Sequence, residues 1–191
     1  MKKDNMSKNG KILEFAIATA FIFIGAIFRF LPHPPNFSPI AAIALFGGVY
    51  LSRKIALILP LLAMVISDLF LGFYSWKLMA VVYLSFLIYV LLGFKLKKNK
   101  KWYTVLGYSF SGAMIFYLLT NLAVWAFMGW YPKTLSGLIQ CYVMAIPFFK
   151  NTLFGDLFYT GLFFGIYEGI RIWLRKKFKV PKTVPINAVE V

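Results

Sequence analysis

The stretch "PIAAIALFGGVYL" (39–51), followed at once by Ser52-Arg53-Lys54, decides how this chain is folded. It is apolar throughout, yet at about 1.5 Å per residue it rises only about 20 Å, short of the roughly 30 Å hydrocarbon core of a bilayer. If it crosses, by tilting, by starting in the preceding loop or by continuing past Arg53, the chain has an even number of spans. If it does not, the two ends lie on opposite sides.

The rest of the chain makes a membrane the right frame. Hydrophobic residues are 61% of the 191 residues, charged residues only 14%, and the mean hydropathy is +0.76. A soluble domain carries a smaller apolar share and about a quarter charged residues. Apolar runs broken by charge or proline predict spans near 11–31, 39–51, 54–74, 77–96, 103–129 and 150–173. The expected fold is an all-α, polytopic bundle of six transmembrane helices, one domain over 1–180, with a disordered cytoplasmic tail over 181–191. Lys2-Lys3 before the first run resembles a secretory signal, but Arg29-Phe-Leu-Pro offers no small-residue cleavage pattern, so the run reads as a retained helix.

Charge placement fixes the sidedness, because Lys and Arg favour cytoplasmic loops. With six spans and both termini inside, all but four of the 21 Lys and Arg fall on the inner side, the exceptions being Arg29, Lys77, Lys133 and Lys150. The expected location is the cell (inner) membrane, multi-pass. The net charge of +15 comes in short clusters between apolar runs, which points to the lipid surface as partner and not to nucleic acid. In this topology the apolar segment 132–149, with Gln140 and Pro147, is a long outer loop holding an interfacial helix.

Ionisable residues inside a bilayer cost at least about 2.5–3.5 kcal/mol at a helix centre, so each needs a reason. Asp68, Asn121 and Asp156 fall on three different spans, roughly 8–13 Å below the outer surface at the helical rise. Trp125 shares a face with Asn121, and Asn151 stands at the mouth of the last span. The segment "RFLPHPPNFSP" (29–39) lies at the same level, held extended by its prolines, and brings the chain's single histidine, His33, together with Asn36. These residues read as an outward pocket for a small molecule, with His33, Asn36, Asp68, Asn121, Trp125, Asn151 and Asp156 as ligand contacts and the Pro-rich segment as lid. The plainer alternative is that the same polar groups only bond helix to helix.

Two further features carry less. "SDLF" (67–70) and "GDLF" (155–158) echo one another, but each aspartate lies near the outer end of its span, which is not what an inverted repeat would give; coincidence or convergence on one site is the reading. Glu168 and Arg171, at i and i+3, read as a local ion pair with Arg175 nearby. Single cysteine and single histidine leave no disulfide and no metal set, and no GxSxG, HExxH, P-loop or CxxC occurs, so neither an enzyme nor a resident cofactor is expected.

The segments "RFLPHPPNFSPIAAIALFGGVYL" (29–51), "SDLFLGFY" (67–74), "TNLAVWAF" (120–127) and "YPKTLSGLIQCYVMAIPFFKNTLFGDLFYTGLFFG" (131–165) resemble a family of uncharacterised bacterial membrane proteins labelled as transport proteins. That family is similar in turn to the substrate-capture (S) components of energy-coupling factor (ECF) vitamin importers. The resemblance implies six helices, an outer ligand pocket, a first outer loop acting as lid, and import driven by a transmembrane coupling subunit with two ATPase subunits. It also implies a coupling face: Ala16 and Ala20 match in spacing the AxxxA pattern with which several S components meet that subunit. A solitary proton-coupled carrier, or a membrane scaffold that transports nothing, are the competing expectations.

Overall fold

The computed structural model describes residues 16, 20–25 and 27–177, the side chains of 171 and 174–177 excepted. Every regular element among them is a helix: α1 (Ala20–Phe30), α2 (Ile40–Tyr50), α3 (Arg53–Leu71), α4 (Trp76–Leu96), α5 (Trp102–Phe127) and α6 (Leu135–Lys177). The expected tail over 181–191, the side chains of Arg171 and Arg175 with the ion pair expected of them, and most of the first run before Ala20 lie outside what the structure describes. Three helices, α3, α4 and α5, are long and apolar enough to cross a membrane.

α2 shows where the short run ends. It ends at Tyr50, and Ser52 is already the N-cap of α3, so the run does not continue past Arg53. Ile40 through Val49 are all buried, and the helix has no polar face to expose. A helix that is apolar all round belongs in the centre of a bundle. There it contacts α3, α4, α5 and α6, and Phe46 meets the rings of Phe21, Phe164 and Tyr167.

The close approach of α2 and α4 depends on two glycines. A Cβ on Gly48 would lie 2.4 Å from the Val90 carbonyl oxygen, and one on Gly93 would lie 2.4 Å from that of Leu45. At Gly112 the same test meets the Tyr89 ring at 2.2 Å, so α4 presses that tyrosine onto bare α5 backbone.

α2 and α3 share one turn, but α3 is 19 residues long and α2 only 11. The eight-residue difference leaves the start of α2 about 12 Å short of the end of the bundle. The gap is spanned by segment 31–39, not by helix. There Phe37 N–H donates to the Pro34 carbonyl at 3.0 Å, and Asn36 takes φ 66°. Proline at the second position and a left-handed asparagine at the third are what a type II turn requires. Phe37 then seats on Gly155 and beside Phe158 and Tyr159, docking the segment to α6.

α6 corrects the expected loop over 132–149. From Leu135 on the segment is helical, but it runs without a break into the stretch expected as the last span, giving one helix of 43 residues with Pro147 inside. At about 65 Å such a helix is twice the thickness of a hydrocarbon core. Its first turns pack on α5: Tyr142 and Phe149, seven positions apart, both meet the Tyr117 ring. Pro147 inside the helix removes one backbone bond, the usual cause of a bend in a helix axis.

Candidate functional site

The gap above α2 is a cleft of about 360 Å³. Its wall combines Arg29 from α1, His33, Asn36 and Ser38 from the Pro-rich segment, Tyr74 from the turn after α3, Tyr89 from α4, and Thr152 and Asp156 from α6, over a floor that includes Ala41, Met64 and Phe86. A second chamber of about 270 Å³ lies between α4, α5 and the first half of α6. Asn36, Val82, Phe116 and Thr152 border both, so the two chambers adjoin. Such volumes suit a compact molecule.

Two buried carboxylates organise the site, and α4 supplies a tyrosine to each. Asp68, 1% exposed, pairs with Arg29 Nη1 at 2.6 Å through Oδ1 and accepts from the Tyr83 hydroxyl at 2.6 Å through Oδ2. The same Nη1 reaches Ser67 Oγ and, at 3.4 Å, the Met64 carbonyl. Asp156 accepts from the Tyr89 hydroxyl through Oδ2. The "SDLF" and "GDLF" echo thus has a physical counterpart: both aspartates take a phenol from one helix, at positions 83 and 89.

His33 Nδ1 lies 2.6 Å from the Leu31 carbonyl. A carbonyl only accepts, so Nδ1 carries the proton, and in the neutral ring Nε2 is left as an acceptor. The Tyr74 hydroxyl is pushed up to about 12, by burial first and then by the Asp68 carboxylate, with Arg29 opposing. It remains a neutral donor at any physiological pH.

Of the residues expected from sequence, His33, Asn36 and Asp156 line the larger cleft, and Asn36 and Asn121 line the smaller. Asn121 Nδ2 donates back to the Tyr117 carbonyl at 2.8 Å. Asp68 stands behind the wall, fixing Arg29. Trp125 borders neither chamber: its Nε1 donates to the Pro132 carbonyl at 2.9 Å, and Lys133 sits 5.3 Å over its ring while donating to its carbonyl. It pins the α5–α6 connection, and Trp130 and Tyr131 take the aromatic place in the smaller chamber. Asn151 borders neither chamber, whereas its neighbour Thr152 borders both. Ala16 and Ala20 are exposed.

Arg29, Tyr83 and Tyr89 escaped the sequence reading. Arg29 counts there as one of four outer charges, although its position at the end of an apolar run and before the proline cluster was the available signal. The tyrosines carry none, since in an apolar helix they look like packing. At the opposite end of the bundle, Glu168 accepts from the Tyr50 hydroxyl at 2.6 Å, a bond to α2 that the expected local pairing with Arg171 did not foresee.

The fold and site define a class: an all-helical protein with membrane-length helices around a short central helix, and a polar cleft sunk into one end. The chain belongs to the family of unknown function DUF6580, which matches residues 10–181. No curated protein and no solved structure matches it.

Proposed function

We propose that this protein is a membrane-embedded capture subunit that takes a small nutrient from outside the cell and hands it to an ATPase-driven coupling module. The carrying observation is the cleft above α2, where Arg29, His33, Asn36 and Asp156 border one open volume. Irregular backbone at membrane depth is tolerated where it lines a cavity, and in this reading segment 31–39 is such a stretch.

In this reading the chain has six spans with both termini cytoplasmic. α2 together with segment 31–39 makes the second crossing, and the part of α6 after Pro147 makes the last. The cleft opens outward, since Arg53 and Lys97 to Lys101 lie at the other end. The Pro-rich segment is the lid, with Phe37 as its latch on Gly155. The first run would meet the coupling subunit through Ala16 and Ala20, both of them exposed.

The test is native mass spectrometry of gently purified wild type beside Thr152→Phe, which fills the junction of the two chambers, and Asp156→Asn. A small molecule carried by wild type and absent from variants of unchanged circular dichroism and elution supports capture. Wild type that stays empty under conditions retaining weak ligands rejects it.

One observation favours a variant of this reading. Asp68 is committed to Arg29, but Asp156, at the cleft wall, has only the Tyr89 phenol as hydrogen-bond partner among the described residues, and intramembrane carboxyls of this kind serve as proton relays in transporters. Uptake into cells would then collapse with the proton gradient and survive loss of the ATPase.

A further inference from the structure

Resting on the capture reading, we infer that the cleft recognises an amphoteric small molecule: one bearing a carboxylate-like anion that Arg29 and the start of α2 hold, and an amine or ring N–H that Asp156 holds. Three features of the wall lead there.

First, every contact of the Arg29 guanidinium with Asp68, Ser67 and Met64 runs through Nη1. Nε and Nη2 have no partner among the described residues, and neither is sealed from the cavity that Arg29 lines. Those two nitrogens make up the fork that binds a carboxylate side-on, on a residue that lines the cleft.

Second, α2 begins inside the protein without a side-chain cap. Ile43 N–H is the first to find a helical partner, the Pro39 carbonyl at 2.9 Å, which leaves the N–H groups of Ile40, Ala41 and Ala42 without one among the described residues. All three residues are at most 4% exposed, and Ala41 lines the same cleft as Arg29. Buried helix starts ordinarily find caps or water, and an uncapped one favours an anion.

Third, Asp156 spends only Oδ2 on Tyr89, and Oδ1 is neither bonded among the described residues nor sealed. A ligand carrying only negative charge would face that carboxylate, and one carrying only positive charge would face Arg29. A molecule with both groups satisfies both ends, whereas a neutral one would leave the Arg29 edge unfilled. Ser38, Asn36 and His33 Nε2 remain for the polar edge between them.

The experiment is thermal stabilisation of the purified full-length protein by a matched panel: the common amino acids as zwitterions, their amides and decarboxylated amines, which lack the anion, and their deaminated acids, which lack the amine. The expected result is a rise in Tm with one or more zwitterions and none with the corresponding single-function analogues. Arg29→Gln alone strands Asp68, so the neutral pair Arg29→Gln with Asp68→Asn is used. It should weaken a binding zwitterion about tenfold or more, as loss of a charge-assisted bond does. Asp156→Asn should erase the preference for the zwitterion over the deaminated acid.

Stabilisation by amines alone, by amides alone, or equally by acids with and without an amine overturns the amphoteric assignment while leaving capture intact. Silence of the whole panel overturns it as well, and capture then stands or falls on the co-purified molecule sought above.

Discussion

At the level of single residues, the site is held by a few bonds whose removal has a definite sign. Asp68→Ala leaves the Arg29 cation in the wall with no counter-charge, and stranding half of a buried pair costs roughly 3–5 kcal/mol. Tyr83→Phe removes only one bond to that carboxylate and should cost about 1–3 kcal/mol. Denaturation of the purified protein, read by tryptophan fluorescence, should rank the two in that order. Asn36 carries a different constraint: at φ 66° a β-branched side chain is strained, so Asn36→Val should lower stability by about 1–2 kcal/mol while Asn36→Gly is nearly neutral. A larger loss for Asn36→Gly than for Asn36→Val in the same assay would mean that its amide, and not its backbone, matters to the fold. The sequence offered His33, Asn36 and Asp156 because rare polar types stand out in an apolar chain. It could not offer Tyr83 and Tyr89, because a phenol becomes polar machinery only when the fold puts a carboxylate in front of it.

At the level of elements, α2 is the helix whose environment governs the rest. Its contact with α4 works only with bare backbone on both sides, so Gly93→Ala must push the helices apart and should cost upward of about 3 kcal/mol. Gly161, also helical but with nothing within 4 Å of an added Cβ, is the control: Gly161→Ala should be neutral or stabilise by about 0.5–1 kcal/mol. Equal effects at the two positions would show that helix propensity, not close approach, dominates. The expected limits of α3, α4 and α5 lie within a few residues of the observed ones, because each is a long apolar run closed by a turn or a charge. The limits of α6 do not. Pro147, Gln140 and Lys150 read as interruptions in a linear pattern, but the helix passes through them because Tyr142 and Phe149 pack onto α5 and supply the contacts that a broken helix would lose.

At the level of the whole molecule, the proposed topology puts the turn 128–134 and the start of α6 outside, and the turn 97–101 inside. Replacing Cys141 and introducing Ser136→Cys or Asn99→Cys, both at exposed positions, allows intact cells to be treated with an impermeant maleimide. Ser136→Cys should label at once and Asn99→Cys only after permeabilisation. The reverse pattern would invert the molecule and turn the cleft to the cytoplasm.

The helical class and the presence of helices long and apolar enough to cross a membrane were legible in the sequence alone, since each depends on how many apolar residues occur and how they are spaced. Which side chains face each other is another matter. That Asp68 spends itself on Arg29 while Asp156 lines the cleft, that Trp125 serves a turn, and that α2 stops short to leave the cleft at all depend on helix rotation and crossing. Those are set by contacts such as Gly48 against Gly93, between residues far apart in the chain, and no local pattern encodes them.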